Sequence, residues 1–390
     1  MIVHSYYEED PRVRREAESL VAAGRPVDVF ALRRPDDPPT TELQGVRVHH
    51  LDVQRHQGAP LRVYLAEYLA FFVRALFTVT RAHARRRYGL VQVHSLPDFL
   101  VFAGLPLRAA GVPVVLDLHE TMPDMFRSRF PGAANALTHG LLLLEERLSI
   151  EAASHVITVH EARRRRLAKL GIAEERMSVV INSPSLERFD AGRHPRRAFA
   201  GDGTLTLVYA GALTPIYEVD VAVDAVALLV RTRPDLAVRL DLYGRGDSET
   251  ALREQATRLG VADRVVFHGR IPLDEVPAAI ARADIGLAPT RLDAFTEATI
   301  STKIFEYGAM LKPVVASRLP LVEESFPGGS VRTYDPGIPA ALAAAIAALA
   351  DDPAGREAAV ERTLVRVREL AWEREAERYV ALVDRLSRAR

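Results

Sequence analysis

The chain contains no cysteine among its 390 residues. This absence excludes disulfide bonds, thiolate catalysis and zinc sites built from cysteine. Lysine is also scarce, since Lys169, Lys303 and Lys312 are the only three lysines among 51 basic residues and the remainder are arginine. Each lysine is therefore a position to examine for function.

The chain has no excess charge of either sign, because 51 basic residues balance 51 acidic residues. General nucleic-acid binding usually requires a basic excess, so nucleic acid is not expected as a partner. No secretory signal is visible, because acidic residues follow the first short apolar segment. No run of about 18 residues is free of charge, so no membrane-spanning helix is predicted and the expected compartment is the cytoplasm.

The longest apolar stretch, residues 61–80, carries Arg62, Glu67 and Arg74. A basic cluster at residues 85–87 follows it and could contact anionic lipid as a peripheral attachment to the inner membrane face. The alternative is that this cluster is the solvated end of an amphipathic helix. The sequence leaves both interpretations open.

Several catalytic signatures are missing as well. The chain has no Asp-x-Asp triplet for a metal-bound diphosphate, no Walker Gly-Lys-Ser/Thr, no Gly-x-Ser-x-Gly and no His-Glu-x-x-His. A metal-independent transfer reaction carried out by two domains remains, and the sequence predicts no metal site.

Short runs rich in Val, Ile and Leu alternate with longer helical patterns in both halves of the chain. This order predicts an α/β protein with two Rossmann-like, doubly wound parallel sheets, at residues 1–185 and 204–370. Residues 186–203, rich in Pro, Arg, Gly and Asp, are predicted to be the linker. Ligands of such sheets bind beyond the carboxyl ends of the strands, so we expect a site in a central cleft.

The segment from Ser301 to residue 309 is the most informative motif. Ser301 and Thr302 can cap a helix whose first N–H groups attract an anion such as a diphosphate. Lys303 adds a positive charge beside it, and Glu306 can accept hydrogen bonds from a ribose diol. The alternative is a capped helix with a favourable early glutamate.

Two glycine-containing turns follow predicted strands of the second half. Gly244, Arg245 and Gly246 form one turn, and Gly211 with Ala212 forms the other. Glycine lets a backbone approach a ligand closely, but a lone Gly-x-Gly is equally consistent with a structural turn.

In the first half, His119 and Glu120 follow a buried strand, and His94 ends the preceding one. A histidine at a strand end can orient or polarise a substrate hydroxyl, although a purely structural histidine is the alternative. The loop that includes Glu8 and Arg12 follows the first strand. Arg12 could bind an anionic acceptor there or lie on a solvated helix face.

Taken in order, these motifs resemble the retaining glycosyltransferases of family 4, which have the GT-B fold. In the first half the resemblance is carried by residues 10–13, 117–120, 156–159 and 179–183. In the second half it is carried by residues 208–213, 242–246, 264–272, 283–289, 302–309 and 312–316. Residues 371–390, around Trp372, resemble the family's terminal helix, which returns to pack on the first domain.

The resemblance implies that the second domain binds a nucleotide-diphosphate sugar and the first binds a sugar, lipid-linked or small-molecule acceptor. It implies transfer with retention of anomeric configuration, without metal or other cofactor, in cell-surface polysaccharide, glycolipid or secondary-metabolite glycosylation. Residues matching the family's site are Glu306 at the nucleotide ribose, His119 near the transferred sugar, and Ser301, Thr302, Lys303 and the adjoining Ile304 at the sugar and diphosphate. Ile271 falls on the loop that contacts the base.

Three positions depart from the family pattern. Ala298 stands at the first glutamate of the Glu-x7-Glu motif, with Glu297 one position off. The usual arginine is replaced by Ala212 and the usual lysine by Glu218. The two lost cations would compensate the charge that grows on the leaving diphosphate, so other cations must substitute. The available ones are Lys303, Arg245 and Arg270.

Two alternatives stay open, and the departures bear on the second of them. One is another GT-B sugar-nucleotide enzyme, such as an epimerase or an inverting transferase. The other is a catalytically silent binding subunit that keeps the fold.

Overall fold

The structure is a computed structural model that describes residues 1–56, 60–130, 132–195 and 197–388, without the side chains of Ser128, Arg129 and Ala298. The chain forms two compact units. The first contains Met1–Asn182 and Trp372–Arg390, and the second contains Ser183–Ala371.

The first unit alternates strands with helices. Its elements are α1 (Pro11–Ala22), β1 (Asp28–Leu32), β2 (Thr40–Leu43), β3 (Val46–Leu51), α2 (Leu61–Arg86), β4 (Val91–His94), α3 (Leu105–Ala109), β5 (Val114–Leu118), α4 (Met122–Arg129), α5 (Ala136–Ala152), β6 (His155–Thr158), α6 (Glu161–Lys169), β7 (Met177–Val179) and, from the chain end, α14 (Trp372–Arg388).

Parallel pairing joins β1 to β3 and runs through the order β4-β5-β6-β7, while β2 pairs antiparallel with β3. Ile2 forms parallel bridges to both Phe30 and Val93, so it stands between β1 and β4. The predicted strand at residues 2–5 is thus reduced to single-residue bridges. From Ile2, β1 and β3 extend to one side of the sheet and β4 to β7 extend to the other. The strand order therefore reverses between Ile2 and β4, and ligands of such sheets bind at this reversal.

The second unit has the same alternation. Its elements are β8 (Thr204–Ala210), α7 (Val219–Thr232), β9 (Ala237–Tyr243), α8 (Glu249–Arg258), β10 (Val265–Gly269), α9 (Val276–Ala281), β11 (Ile285–Ala288), α10 (Thr302–Ala309), β12 (Val314–Ser317), α11 (Pro320–Ser325), β13 (Arg332–Tyr334), α12 (Pro339–Asp351) and α13 (Pro353–Glu369).

Its sheet is parallel, in the order β10-β9-β8-β11-β12-β13. This is the Rossmann order, with its reversal between β8 and β11. Alternate residues of β8 enter different core clusters: Leu207 and Tyr209 lie in one, Val208 and Ala210 in the other. Both faces of the sheet are therefore covered, which explains why its strands are apolar almost throughout.

The predicted fold class is confirmed, with differences in detail. The antiparallel strand β2 and the short helices α4 and α11 were not expected, because each is only four to eight residues long and lacks a clear period. The charged stretch from residue 354 forms two helices, α13 and α14, rather than one. The predicted end at residue 390 lies outside the described residues.

Helix α2 changes one expectation from the sequence. By length and composition its 26 residues could cross a bilayer. Of its most apolar stretch of 18 residues, 28% is buried within the protein. A single helix of this kind also occurs in soluble proteins, so composition alone does not assign it to a membrane.

Candidate functional site

The candidate site of the second unit lies where its strand order reverses. Gly211 directly follows β8, and α10 carries Lys303 to the same place. A Cβ atom on Gly211 would overlap Lys303 Cε and lie 2.7 Å from its Nζ. The structure therefore brings together two residues that the sequence singled out separately, and glycine is required at 211 to make room for the lysine.

Two tyrosine rings hold the Lys303 ammonium group. Its Nζ lies 4.0 Å from the ring centre of Tyr217 and 5.0 Å from that of Tyr209. The Tyr209 hydroxyl donates to the carbonyl oxygen of Ala212, which fixes the turn after β8. Cation–π contacts of this kind stabilise a charge that has no counter-ion.

The Lys303 side chain is buried, and burial lowers its pKa from 10.5 to about 8, while the charge of Glu306 opposes that lowering. Within the described part of the chain, Nζ makes no hydrogen bond or salt bridge. A buried ammonium without an anionic hydrogen-bond partner is a natural binding group for an anion.

Helix α10 begins at Thr302, with Ser301 as its N-cap residue, but the Ser301 side chain makes no capping hydrogen bond. The predicted side-chain cap is therefore absent, and the side chain leaves the first N–H groups of the helix available to another acceptor. Ile304 is buried in the core, so its side chain cannot contact a ligand. Glu306 is buried one turn beyond the start of α10.

The glycines of the second turn have a structural role. Gly244 has a φ of +144°, and a Cβ there would overlap the carbonyl oxygen of Gly211. A Cβ on Gly246 would similarly overlap the carbonyl oxygen of Leu213, and the two turns are joined by a hydrogen bond from the Leu213 amide to the Arg245 carbonyl. The structural interpretation of Gly-x-Gly is thus the better supported one.

The remaining predicted donor residues are more peripheral. Ala212 is exposed, as are the side chains of Arg245 and Arg270, while Ile271 is half-buried against the core. The Glu218 carboxylate is engaged within the fold, because it accepts a hydrogen bond from the Gly337 amide at 2.9 Å. The side chain of Ala298 lies outside the described residues.

In the first unit, a buried polar cluster lies behind His119. Arg12 donates to both Asp117 oxygens, at 3.0 and 2.8 Å, and contacts Glu16 at 3.1 Å. Gln92 donates to Glu16 at 2.6 Å and accepts from Tyr379 of α14 at 2.6 Å. The interpretation of Arg12 as an acceptor-binding or solvated residue is therefore corrected: its guanidinium is buried and neutralises carboxylates inside the fold.

His94 and His119 meet at the same carboxylate oxygen. Oδ2 of Asp117 lies 3.1 Å from both His94 Nδ1 and His119 Nε2, and these nitrogens are 3.2 Å apart. His94 is fully buried, and burial lowers its pKa from 6.5 to about 4, so its ring is neutral at pH 7. The His119 side chain is 20% exposed, so it alone of the three reaches the surface.

These three atoms are close enough together to hold a metal ion. However, Arg12 already donates to both oxygens of Asp117, and a metal ion on that carboxylate would face the guanidinium charge. The arrangement therefore suits hydrogen bonding better than metal binding.

The other acceptor-side candidates, Glu8 and Glu120, contact other charged groups. Glu8 forms an ion pair with Arg34 at 3.0 Å and lies 3.9 Å from His50. Glu120 is half-buried, and its charge acts on Arg163, whose guanidinium donates to the His119 carbonyl oxygen.

Sequence reasoning missed the partners that shape both sites. Tyr209 and Tyr217 are distant in sequence from Lys303, and Gln92 and Tyr379 are distant from His119, so no spacing connects them. Two signals were available: Glu16 follows Arg12 at the i,i+4 spacing of a helix, and Gln92 is a polar residue inside the apolar strand β4.

Two family models match the chain. Residues 10–183 match the "Glycosyl transferase 4-like domain" and residues 204–352 match "Glycosyl transferases group 1". Similar curated proteins include D-inositol 3-phosphate glycosyltransferases from Pseudarthrobacter chlorophenolicus, 26% identical over 96% of this chain and 90% of that protein, and Catenulispora acidiphila, 28% identical over 94% and 88%.

Solved structures of the same fold include sucrose-phosphate synthase from Thermosynechococcus elongatus, with a TM-score of 0.78 and 20% identity over 97% of this chain and 93% of that one. Anabaena HepE, solved with UDP and glucose, has a TM-score of 0.73 and 16% identity over 98% of both chains.

Proposed function

This chain belongs to the bacterial family 4 glycosyltransferases with the GT-B fold and transfers sugar from a sugar nucleotide, and from this premise we propose how its two units divide the reaction. The second unit binds the nucleotide-diphosphate sugar at the start of α10, and the first unit binds the acceptor beside His119. Transfer proceeds with retention of anomeric configuration and without a metal ion, in the cytoplasm.

The observation that carries the donor proposal is the Lys303 pocket. A diphosphate at the start of α10 would meet the free N–H groups of the helix and the ammonium group of Lys303 together. This chain lacks the two cations of the family pattern, because Ala212 and Glu218 stand at their positions. Lys303 supplies one cation in their place. Glu306, one turn further on, would accept hydrogen bonds from a ribose diol.

A transfer assay tests this proposal. The protein is incubated with a panel of nucleotide-diphosphate sugars that includes UDP-glucose, as bound by HepE, and with acceptors that include inositol 3-phosphate, as named for its relatives. NMR of the product reads its anomeric configuration. We expect the donor's configuration to be kept. Inversion or epimerised donor would support another GT-B enzyme, and binding without turnover would support a silent subunit.

Glu306→Gln tests the ribose contact, with Glu324→Gln as its control, because Glu324 is exposed on α11 of the same unit. Losing hydrogen bonds to a charged acceptor removes about 1.5–3 kcal/mol, so donor affinity should fall about tenfold or more in Glu306→Gln. The control should bind donor as the wild type does. Equal behaviour of the two variants would remove Glu306 from the site.

We propose that the partner of the first unit is an anionic membrane surface, contacted through α2 and α5. Residues spaced four apart on α2 are 41% to 69% exposed, and four leucines of α5 are 47% to 72% exposed. The two sets are Leu65, Leu69, Val73 and Phe77, and Leu137, Leu141, Leu144 and Leu148. Both helices pack on residues 98–104, and exposed apolar faces of this size indicate an interaction surface.

The charge of α2 favours lipid. Its one acidic residue, Glu67, is buried against His4 and His56, whereas its exposed charges are arginines: Arg62, Arg74, Arg81, Arg85 and Arg86. A lipid-linked acceptor would lie at such a surface. An apolar face flanked by arginine is typical of a helix lying in an anionic interface.

Vesicle sedimentation tests this contact. The wild type should bind phosphatidylglycerol vesicles and bind phosphatidylcholine vesicles much less. The double variant L69E/F77E should lose binding, while V365E, at an equally exposed apolar position on α13, should not. Equal binding by L69E/F77E, or no wild-type binding, would contradict the proposal.

A further inference from the structure

The first unit has a feature that the transfer reaction does not by itself explain. A carboxylate, Asp117, is buried directly behind the partly exposed ring of His119, and its Oδ2 lies 3.1 Å from His119 Nε2. We propose that Asp117 is a positioning residue. It fixes His119 with the proton on Nε2, so that Nδ1 is the ring nitrogen presented to a sugar hydroxyl. This inference rests on the proposed function, in which His119 contacts substrate.

The partners of Asp117 determine whether its carboxylate is ionised and which nitrogen of His119 carries a hydrogen. Arg12 donates to both carboxylate oxygens, so Asp117 is an ionised acceptor that cannot donate to a ring nitrogen. The nitrogen that faces it must therefore carry a hydrogen. Since that nitrogen is Nε2 of His119, a neutral His119 ring has an unprotonated Nδ1.

Nδ1 is also the atom left for a ligand. Within the described residues, the polar contacts of the His119 ring are made at Nε2, which donates to Asp117 Oδ2 and lies 3.2 Å from His94 Nδ1. Its Nδ1 makes none there, and its ring is the part of the cluster that reaches the surface. An unprotonated Nδ1 accepts a hydrogen bond, so the matching ligand group is a hydroxyl, as on a sugar, rather than an anion.

The rest of the cluster holds Asp117 in place. The Arg12 guanidinium also donates to the Val180 carbonyl oxygen at 3.0 Å, and Gln92 lies 3.3 Å from Asp117 while Tyr379 fixes its amide. The main chain of His119 is fixed as well, because its amide donates to Ser95 Oγ at 2.9 Å. Ring and backbone are thus both oriented before substrate arrives, which is what a positioning role requires.

Among the described residues, the charged and titratable groups that contact His119 are Asp117 and His94 at Nε2 and Arg163 at its carbonyl oxygen. His94 places a second nitrogen, Nδ1, at 3.1 Å from the same Oδ2. Its other nitrogen is buried without a partner among the described residues, as suits an unprotonated Nε2. Both rings therefore direct N–H groups at one carboxylate oxygen, and the 3.2 Å approach of the two nitrogens is a contact between donors that share this acceptor.

Nitrogen-15 NMR of histidine-labelled full-length protein tests the assignment at pH 8.5, with His119→Gln identifying the His119 signals. The wild type should show the tautomer protonated at Nε2, a result that depends on no variant folding. A dominant Nδ1-protonated tautomer would overturn the proposal. So would a metal ion on Nε2 in the protein as purified, because it would displace that hydrogen.

Asp117→Asn then tests the consequence, with Asp241→Asn as the matched control, because Asp241 pairs with His268 at 3.0 Å in the second unit. Asp117→Asn should redistribute the His119 tautomers and lower kcat about tenfold or more, since a charge-assisted hydrogen bond becomes a neutral one. Asp241→Asn should shift only the His268 signals. A folded Asp117→Asn protein with unchanged tautomer and kcat would refute the positioning role. If the wild type shows the expected tautomer but transfers no sugar, the proposed function fails separately.

Discussion

Replacing Lys303 with methionine should make the protein more stable and less active at once. Methionine keeps most of the length and apolar volume of the lysine chain but removes the buried charge. In the free protein the buried charge of Lys303 is unfavourable, and it becomes favourable when an anion binds beside it. Opposite effects on stability and turnover would distinguish this role from a structural one.

The magnitude follows from the pKa. Burial lowers the pKa of Lys303 from 10.5 to about 8, which corresponds to roughly 3 kcal/mol of unfavourable free energy for the charged form in the folded protein. Loss of the contacts with the Tyr209 and Tyr217 rings offsets about 1–2 kcal/mol of the gain. Lys303→Met should therefore raise the free energy of unfolding at pH 7 by about 1–2 kcal/mol.

The pH dependence has a definite sign. The unfolded chain keeps this proton up to about pH 10.5, whereas the folded protein releases it near pH 8. Between these values the unfolded state binds more protons, so the wild-type free energy of unfolding rises with pH through this window. That rise should be smaller in Lys303→Met.

Urea denaturation at pH 7 and pH 9.5 measures the free energy of unfolding and its change with pH, and kcat for sugar transfer measures turnover. Turnover should fall about 100- to 1,000-fold, as when a group that stabilises transition-state charge is removed. Lys169→Met is the control, because Lys169 is exposed on α6 and should affect neither quantity. A less stable Lys303→Met protein with wild-type turnover would refute the reasoning.

Four further outcomes are expected. Gly211→Ala should lower turnover as Lys303→Met does, because the added Cβ displaces the lysine, whereas Gly140→Ala, with nothing within 4 Å, should not; equal turnover in both would exclude the steric argument. Arg12→Met should lower the free energy of unfolding in urea by about 3–5 kcal/mol, because two buried carboxylates lose their cation, and a loss below 1 kcal/mol would contradict this. Donor affinity measured by calorimetry should be constant below pH 8 and fall as pH rises above it, because Lys303 then loses its charge; affinity that rises with pH would be inconsistent. Transfer should proceed unchanged in EDTA, and activity that is lost in EDTA and restored by Mg²⁺ or Mn²⁺ would show that a metal is required.

The fold was predictable because its signals are local. Near-continuous apolar strands such as β5 and β8, separated by amphipathic helices, indicated two parallel sheets. Elements with weaker local signals were missed or misjudged. β2 has half-exposed alternation over four residues, and the strand expected at residues 2–5 forms only bridges at Ile2.

The candidate site was predictable only in part. Lys303, Gly211 and His119 stood out by residue type and by their position after a strand or at a helix start. The tyrosines around Lys303 come from distant elements, and Arg12 and Gln92 lie 105 and 25 positions from Asp117, so no spacing in the sequence connects them. Arg12 was misjudged for the same reason: a charged residue at a helix start resembles a ligand contact until its buried partner, 105 positions away, is known.

Hydrogen–deuterium exchange across residues 299–310 is the most direct measurement of where the donor binds. The nucleotide-diphosphate sugar that binds most tightly in calorimetry is added at saturation, and exchange is compared with that of the free protein. The account predicts slower exchange at the amides of Thr302 and Lys303, where the diphosphate would accept their hydrogen bonds. Unchanged exchange there, with protection appearing elsewhere in the second unit, would contradict it.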